Sequence, residues 1–238
     1  MTRSERLARR LLRLRARHER KLARAFRRFF RGQAARVVRR YGVMAGRELK
    51  AEGDLLLPMG EDWRLMQAVE SLLWGLLTSL TVETAPFAGG PPLAEARLRV
   101  LLFESAERVR AVNRQTRTAI QRTLADGRSR GFSDWQIANG VPKDGYRGLR
   151  AVVRETYRGR AEAIARTEVG IASQQVAHET WGQAGVTHVD IIDGDGCGWT
   201  SHTDPDTANG SRRTLAEAMA QPLSHPRCRR VSLPIVGG

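Results

Sequence analysis

Residues 98–127 read LRVLLFESAERVRAVNRQTRTAIQRTLADG, and this stretch decides the fold class. Leu98, Leu102, Ser105, Val109, Val112, Thr116, Ala119 and Thr123 recur every three or four residues, and Leu101 and Ile120 widen the stripe. That is the period of a helix with one face against a core. Asp126-Gly127 supplies the expected C-terminal stop. About 28 residues at 1.5 Å each give a helix roughly 40 Å long.

On either side the pattern stays helical. Upstream, residues 53–60 read as a link, and Glu61-Asp62 open a helix running to about Thr81 through Trp63, Met66, Val69, Leu73, Leu76 and Leu80. Acids favour the first turn of a helix. Thr84 to Pro92 holds three prolines and two glycines and is expected to be a loop. Downstream, Ser133 caps a short helix over Asp134 to Asn139, Pro142 breaks it, and one helix or a pair covers Tyr146 to Gln183 with Gly159 as the joint. The period then changes. Val186 to Ile192 is β-branched and alternating, which predicts a strand. Gly-rich turns, a short helix near Thr214 to Ala220 and a strand near Arg229 to Leu233 follow. The expected architecture is mainly α, an elongated helical body with a small α+β C-terminal module. Its segments are 1–50 (basic amphipathic helix), 51–92 (linker and helix), 93–184 (long-helix body) and 185–238 (small α+β module).

Charge is concentrated at the start. Of 40 Lys and Arg and 25 Asp and Glu, 18 and 3 fall within Met1 to Lys50, so this segment holds the whole net charge of +15 and the rest is balanced. Leu7, Leu11, Leu14, His18, Leu22, Phe26 and Phe29 keep a helical spacing, while Arg9, Arg10, Arg13, Arg17, Arg20, Arg24, Arg27 and Arg28 fill the other positions. Arginines at i, i+4 repel, so such a helix needs an anionic partner or a docking surface. Its arginines are the candidate contacts to DNA phosphates. A basic amphipathic helix also suits an anionic membrane surface.

Several classes are disfavoured. The longest strongly apolar uncharged run, Ser71 to Val82, has twelve residues, against about 20 for a spanning helix. Charges interrupt every apolar stretch after the basic start, so no secretory h-region is read. Two cysteines in 238 residues do not make a disulfide framework. There is no HExxH, no nucleophile elbow and no P-loop, so the chain is not expected to be an enzyme. A metal-dependent nuclease using the C-terminal His and Asp residues is the catalytic alternative.

Cys197, His225 and Cys228 are good zinc ligands, with His202, Asp193 or Asp204 as a fourth. Structural zinc, two reduced cysteines packed near each other, and a Cys197–Cys228 disulfide remain alternatives. The Arg166-Thr167-Glu168 stretch puts two charges two residues apart on a helix. They do not face each other, so one is expected to meet the β-containing tail and the other a neighbouring helix.

Taken together, Thr116-Arg117-Thr118, Gly131-Phe132-Ser133, Ile137, the run from Arg160 to Glu168, Asp193, Cys197, Asn209-Gly210, Pro222, His225-Pro226 and Cys228-Arg229 resemble the phage Mu F-like minor head protein family of tailed phages. The resemblance covers residues 110 to 234. It departs at Thr200 and Arg230, where many relatives carry the second cysteine of each pair, so a four-thiolate site is not expected. The resemblance implies a non-enzymatic minor capsid protein at the portal vertex of the virion head, made in the host cytoplasm. It would aid head assembly, DNA packaging or delivery. Its partners would be the portal protein, packaged double-stranded DNA and a major capsid or scaffolding protein, with Arg166, Glu168 and Asp193 as motif residues. The alternative is a free-standing DNA- or anionic-membrane-binding protein.

Overall fold

The computed structural model describes residues 3–44, 56–157, 160–192, 210–223 and 225–235. The helices are α1 (Arg3–Met44), α2 (Gly60–Ala88), α3 (Glu95–Ser129), α4 (Asp134–Asn139), α5 (Gly148–Tyr157), α6 (Arg160–Gln183) and α7 (Leu215–Ala220). A 3-10 turn covers Pro142–Asp144. Strands β1 (His188–Ile192), β2 (Arg212–Thr214) and β3 (Val231–Pro234) form an antiparallel sheet in the order β2-β1-β3. The fold is therefore mainly α with a small α+β C-terminal module, as the periodicities predict.

The helix ends differ from expectation in two instructive places. α2 continues to Ala88 with Pro86 inside it. Proline removes only the donor that would reach the carbonyl of Val82, a residue on the exposed face. The helix stops at Gly89, whose φ is +73°, with Gly90 N–H reaching back to Ala85 O at 3.2 Å. α3 likewise runs through Gly127, because that glycine serves packing instead of termination. A Cβ there would lie 2.5 Å from the Tyr146 hydroxyl and 2.8 Å from Ile137 Cγ1. The actual stop is Gly131 at φ +70°, with Gly131 N–H on Arg128 O at 2.9 Å and Phe132 N–H on Gly127 O at 3.0 Å. These two bonds make a Schellman motif. α4 starts as predicted, with a reciprocal capping box between Ser133 and Gln136. The expected joint, Gly159, lies outside the described residues.

The chain divides into two compact units, each built from separate stretches of sequence. One comprises Met1–Ala23, Glu70–Ser105 and Glu162–Gly238, and the other Arg24–Val69 and Ala106–Ala161. The first holds the sheet. Val189 and Ile191 of β1 and all of β3 are buried, while His188 is exposed, as alternation requires. Leu7, Leu11, Leu22, Leu73, Leu76, Leu80, Val169, Val176 and Trp181 belong to the core of this unit.

The second unit is helical, with Phe26, Phe30, Val37, Leu65, Val109, Ile120 and Leu149 in its core. The acidic pair that opens α2 is a buried anchor there. Glu61 is 1% exposed and takes Arg36 Nε and Nη2 at 2.9 and 2.7 Å, Arg40 at 3.3 Å and Arg64 at 3.1 Å. Asp62 accepts from Arg117 at 2.9 Å and Asn113 at 2.7 Å. Burial alone would raise the Glu61 carboxyl, but the hydrogen bonds and charges of Arg36 and Arg40 outweigh it and hold its pKa below the usual range.

α2 is long and apolar enough, by length and composition alone, to cross a membrane, with a mean hydropathy of 1.3. Helix formation extends the Ser71–Val82 run on both sides. Its Leu65, Val69, Leu73, Leu76, Leu77 and Leu80 are buried among the protein's own residues.

Glu61→Gln should destabilise the protein by about 2 kcal/mol in urea unfolding at neutral pH. This is less than the loss of roughly 3–5 kcal/mol typical of breaking a fully buried pair, because the Arg36 and Arg40 side chains are 32% and 30% exposed. Because the folded pKa is depressed, the stability this group adds is present above the unfolded carboxylate pKa and is lost as pH falls through the folded value. Unchanged stability would remove Glu61 from its place as anchor.

Candidate nucleic-acid interface and its buried support

The eight arginines predicted to face a partner, Arg9, Arg10, Arg13, Arg17, Arg20, Arg24, Arg27 and Arg28, are all exposed. The opposite stripe of α1 is not. Leu7, Leu11 and Leu22 are buried in the sheet unit, as are Phe26 and Phe29 in the helical unit, with Leu14 half-buried. α1 is thus an integral helix of the fold whose docking surface is the protein's own core. Two further basic residues of the first 50, Arg36 and Arg40, turn inward to Glu61.

Within the sheet unit, Arg9, Arg13 and Arg17 form an i, i+4 row. Among the described residues no acid pairs with any of them, whereas Arg10 pairs with Glu83 at 2.7 Å. Such a row is repulsive in isolation. It is a ready contact for a line of phosphates, which needs no particular base sequence.

What holds this row in place is a buried polar cluster. Arg15, 2% exposed, sends Nη1 to Arg230 O at 2.6 Å and Nη2 to Cys228 O at 3.3 Å. From α6, Gln174 Nε2 also donates to Arg230 O at 3.2 Å, and Gln174 Oε1 accepts from Ser232 N–H at 3.3 Å. His178 Nε2 meets Ser232 Oγ at 2.9 Å. Desolvation lowers the pKa of Arg15, partly opposed by Glu19. Gly170 leaves the needed space, since a Cβ there would sit 3.0 Å from Arg15 Nη2 and from Leu223 Cδ1. The spacing Leu11, Arg15, His18, Leu22 carried a signal for Arg15: a charged residue on the buried stripe.

The other residues singled out in the sequence fall into place around this cluster. Arg166 reaches a neighbouring helix, pairing with Glu19 at 3.5 Å. Glu168 is buried at 5% exposure. Between them, Thr167 also contacts the tail: its Oγ1 accepts Arg227 N–H at 3.1 Å. The His225-Pro226-Arg227-Cys228 turn closes with Cys228 N–H on His225 O at 3.1 Å and places Arg227 at φ +70°. Position 230, where many members of the resembled family carry cysteine, holds a buried arginine.

Cys228 is buried, and its sulfur accepts Arg230 N–H at 3.4 Å. His225 is half-buried, with Nδ1 2.7 Å from Pro226 O. Cys197, His202 and Asp193 lie outside the described residues, and the expected ligand set lies outside them with these three. Among the described residues no three His, Cys, Asp or Glu side chains gather into a metal-holding group. In the helical unit, Thr116 is buried and Arg117 holds Leu57 O at 2.7 Å and Asp62, so the Thr116-Arg117-Thr118 stretch secures the start of α2.

The chain matches no protein-family model, no curated protein and no solved structure.

The buried cluster sets two expected outcomes. Arg15→Lys keeps the charge but cannot span two carbonyls, and should cost about 2 kcal/mol in denaturant unfolding. A loss under a few tenths would show the fork to be dispensable. His178 is pushed down to about 4 by burial, so it is neutral in the folded protein at pH 7. An unfolded histidine titrates near 6.5. The unfolded chain therefore binds a proton first, and stability falls as pH drops from about 6.5 to about 4. Between pH 7 and pH 5 the native protein should lose about 2 kcal/mol more than His178→Gln. Parallel pH profiles for the two would contradict this.

Proposed function

We propose that this protein is a minor head protein at the portal vertex of a tailed phage, a structural component and not an enzyme. It would contact packaged double-stranded DNA through the exposed arginines of α1. The observation that carries the DNA part is the Arg9–Arg13–Arg17 row: three exposed cations one helical turn apart, without acidic partners among the described residues, on a helix clamped from behind by Arg15. The portal and head parts rest on the resemblance of residues 110–234 to Mu F-like proteins. Burial of Leu7, Leu11 and Leu22 favours DNA over insertion into an anionic bilayer, because that mode needs the apolar face.

Two measurements test the reading. Co-expression with the portal protein of the same phage should yield a stable complex by mass and stoichiometry. Binding to duplex DNA should weaken steeply with salt, log K falling by about 0.9 for each phosphate neutralised. Arg9→Gln, Arg13→Gln and Arg17→Gln together should flatten that slope by about 0.9 for each phosphate that the variant leaves unneutralised. If the triple variant keeps the full slope, the row does not touch DNA. DNA binding without portal association at any salt would instead support a free-standing DNA-binding protein.

A further inference from the structure

The helical unit carries a second basic feature of a different kind. A groove of about 700 Å³ lies between α1 and α5. Arg27, Arg31 and Arg39 line it from α1, and Arg150 and Arg154 from α5. Between them Ala34, Ala35 and Val38 give an apolar surface that is exposed or half-exposed. Beneath it the Phe30 and Tyr157 rings stack at 4.6 Å, 2° from parallel, and the Tyr157 hydroxyl donates to Gln33 Oε1. The floor is therefore an aromatic stack tied to Gln33.

The groove is electrostatically unfinished. Arg27–Arg31 and Arg150–Arg154 are like-charge pairs at i, i+4, a repulsive spacing. Among the described residues, none of Arg31, Arg39, Arg150 and Arg154 has an acidic partner. Glu155, the acid within α5, pairs with Arg147 instead. Carboxylates entering the groove would turn each of these repulsions into attraction.

We propose that this groove docks an acidic amphipathic helix from a protein partner. The wall from Arg27 to Arg39 covers thirteen residues of α1, twelve steps of about 1.5 Å or roughly 18 Å, about three turns of a helix. A small anion cannot reach cations spread over that length. Duplex DNA offers phosphates but nothing apolar and convex to fill the Ala34–Val38 surface. A helix with an apolar stripe flanked by glutamates at i, i+4 matches both features, since its carboxylates repeat at the spacing of the arginines. The groove does not depend on the DNA reading of the Arg9–Arg13–Arg17 row; of the eight arginines named for DNA it takes one, Arg27.

The test uses the full-length protein and a fluorescent 18-residue acetylated peptide, with leucines on one helical stripe and glutamates on both flanks. A scrambled peptide of the same composition is the control. The amphipathic peptide should bind at least roughly tenfold more tightly than the scrambled one. Arg31→Glu with Arg154→Glu should weaken it by roughly tenfold or more. Ala35→Trp, which fills the groove without changing charge, should weaken it as well. All three positions are exposed, so thermal unfolding should stay at or above that of the parent. Equal binding of the scrambled peptide, or no effect of these substitutions, would overturn the proposal. It would be overturned equally if duplex DNA or phosphatidylglycerol vesicles lost binding in the Arg31→Glu, Arg154→Glu variant while the peptide bound neither form. The groove would then be a nucleic-acid or lipid surface.

Discussion

The sheet unit depends on one desolvated cation. Arg15 stands on the buried stripe of α1 and spends its guanidinium on the backbone carbonyls of Arg230 and Cys228. Those carbonyls belong to the turn that closes at Cys228 and to the entry into β3. A buried acceptor left without a donor costs more than the bond itself contributes, and Arg230 O takes a second donor from Gln174. Gln174 and His178 complete the arrangement from α6, so three distant segments share one polar knot. Gly170 is the space that makes the knot possible.

The arginines of this chain therefore divide by what answers their charge. Arg36, Arg40 and Arg117 are answered inside the helical unit by Glu61 and Asp62. Arg15 is answered by backbone dipoles. Arg9, Arg13 and Arg17 face outward, as do Arg31, Arg39, Arg150 and Arg154 around the groove. Net charge by segment does not show this division. The first 50 residues hold the excess, yet some of it is consumed internally, and α5 contributes two exposed cations from far along the chain.

Helical periodicity was the most readable part of the sequence. The stripes of α1, α2 and α3, the Ser133 cap and the change to alternation before β1 were all legible, because each follows from side-chain spacing. Glycine and proline misled where their role was tertiary. Gly127 looked like a helix stop and is a contact with Tyr146, while Pro86 looked like a loop and sits where a missing donor matters little. The eight exposed arginines were legible from the same helical wheel. Gln174 and Ser232 were not, and the place of Arg15 on the buried stripe does not say which distant carbonyl it meets, since nothing local in the sequence fixes the acceptor of a buried donor. The split into two units was hidden for the same reason: continuous helices carry no punctuation where one core gives way to another.

The Arg15–Arg230 bond joins residues 215 positions apart. On a ribosome adding about 5–20 residues per second, roughly ten to forty seconds separate the appearance of these two partners. Through that interval α1 is a nascent basic helix whose buried stripe has no complete surface to cover it. Closure of the sheet unit waits for the last strand. The Arg9–Arg13–Arg17 face of α1 thus gains its backing from Arg230 only after the segment leading into β3 has been made, which ties the setting of an amino-terminal helix to a late stretch of the chain.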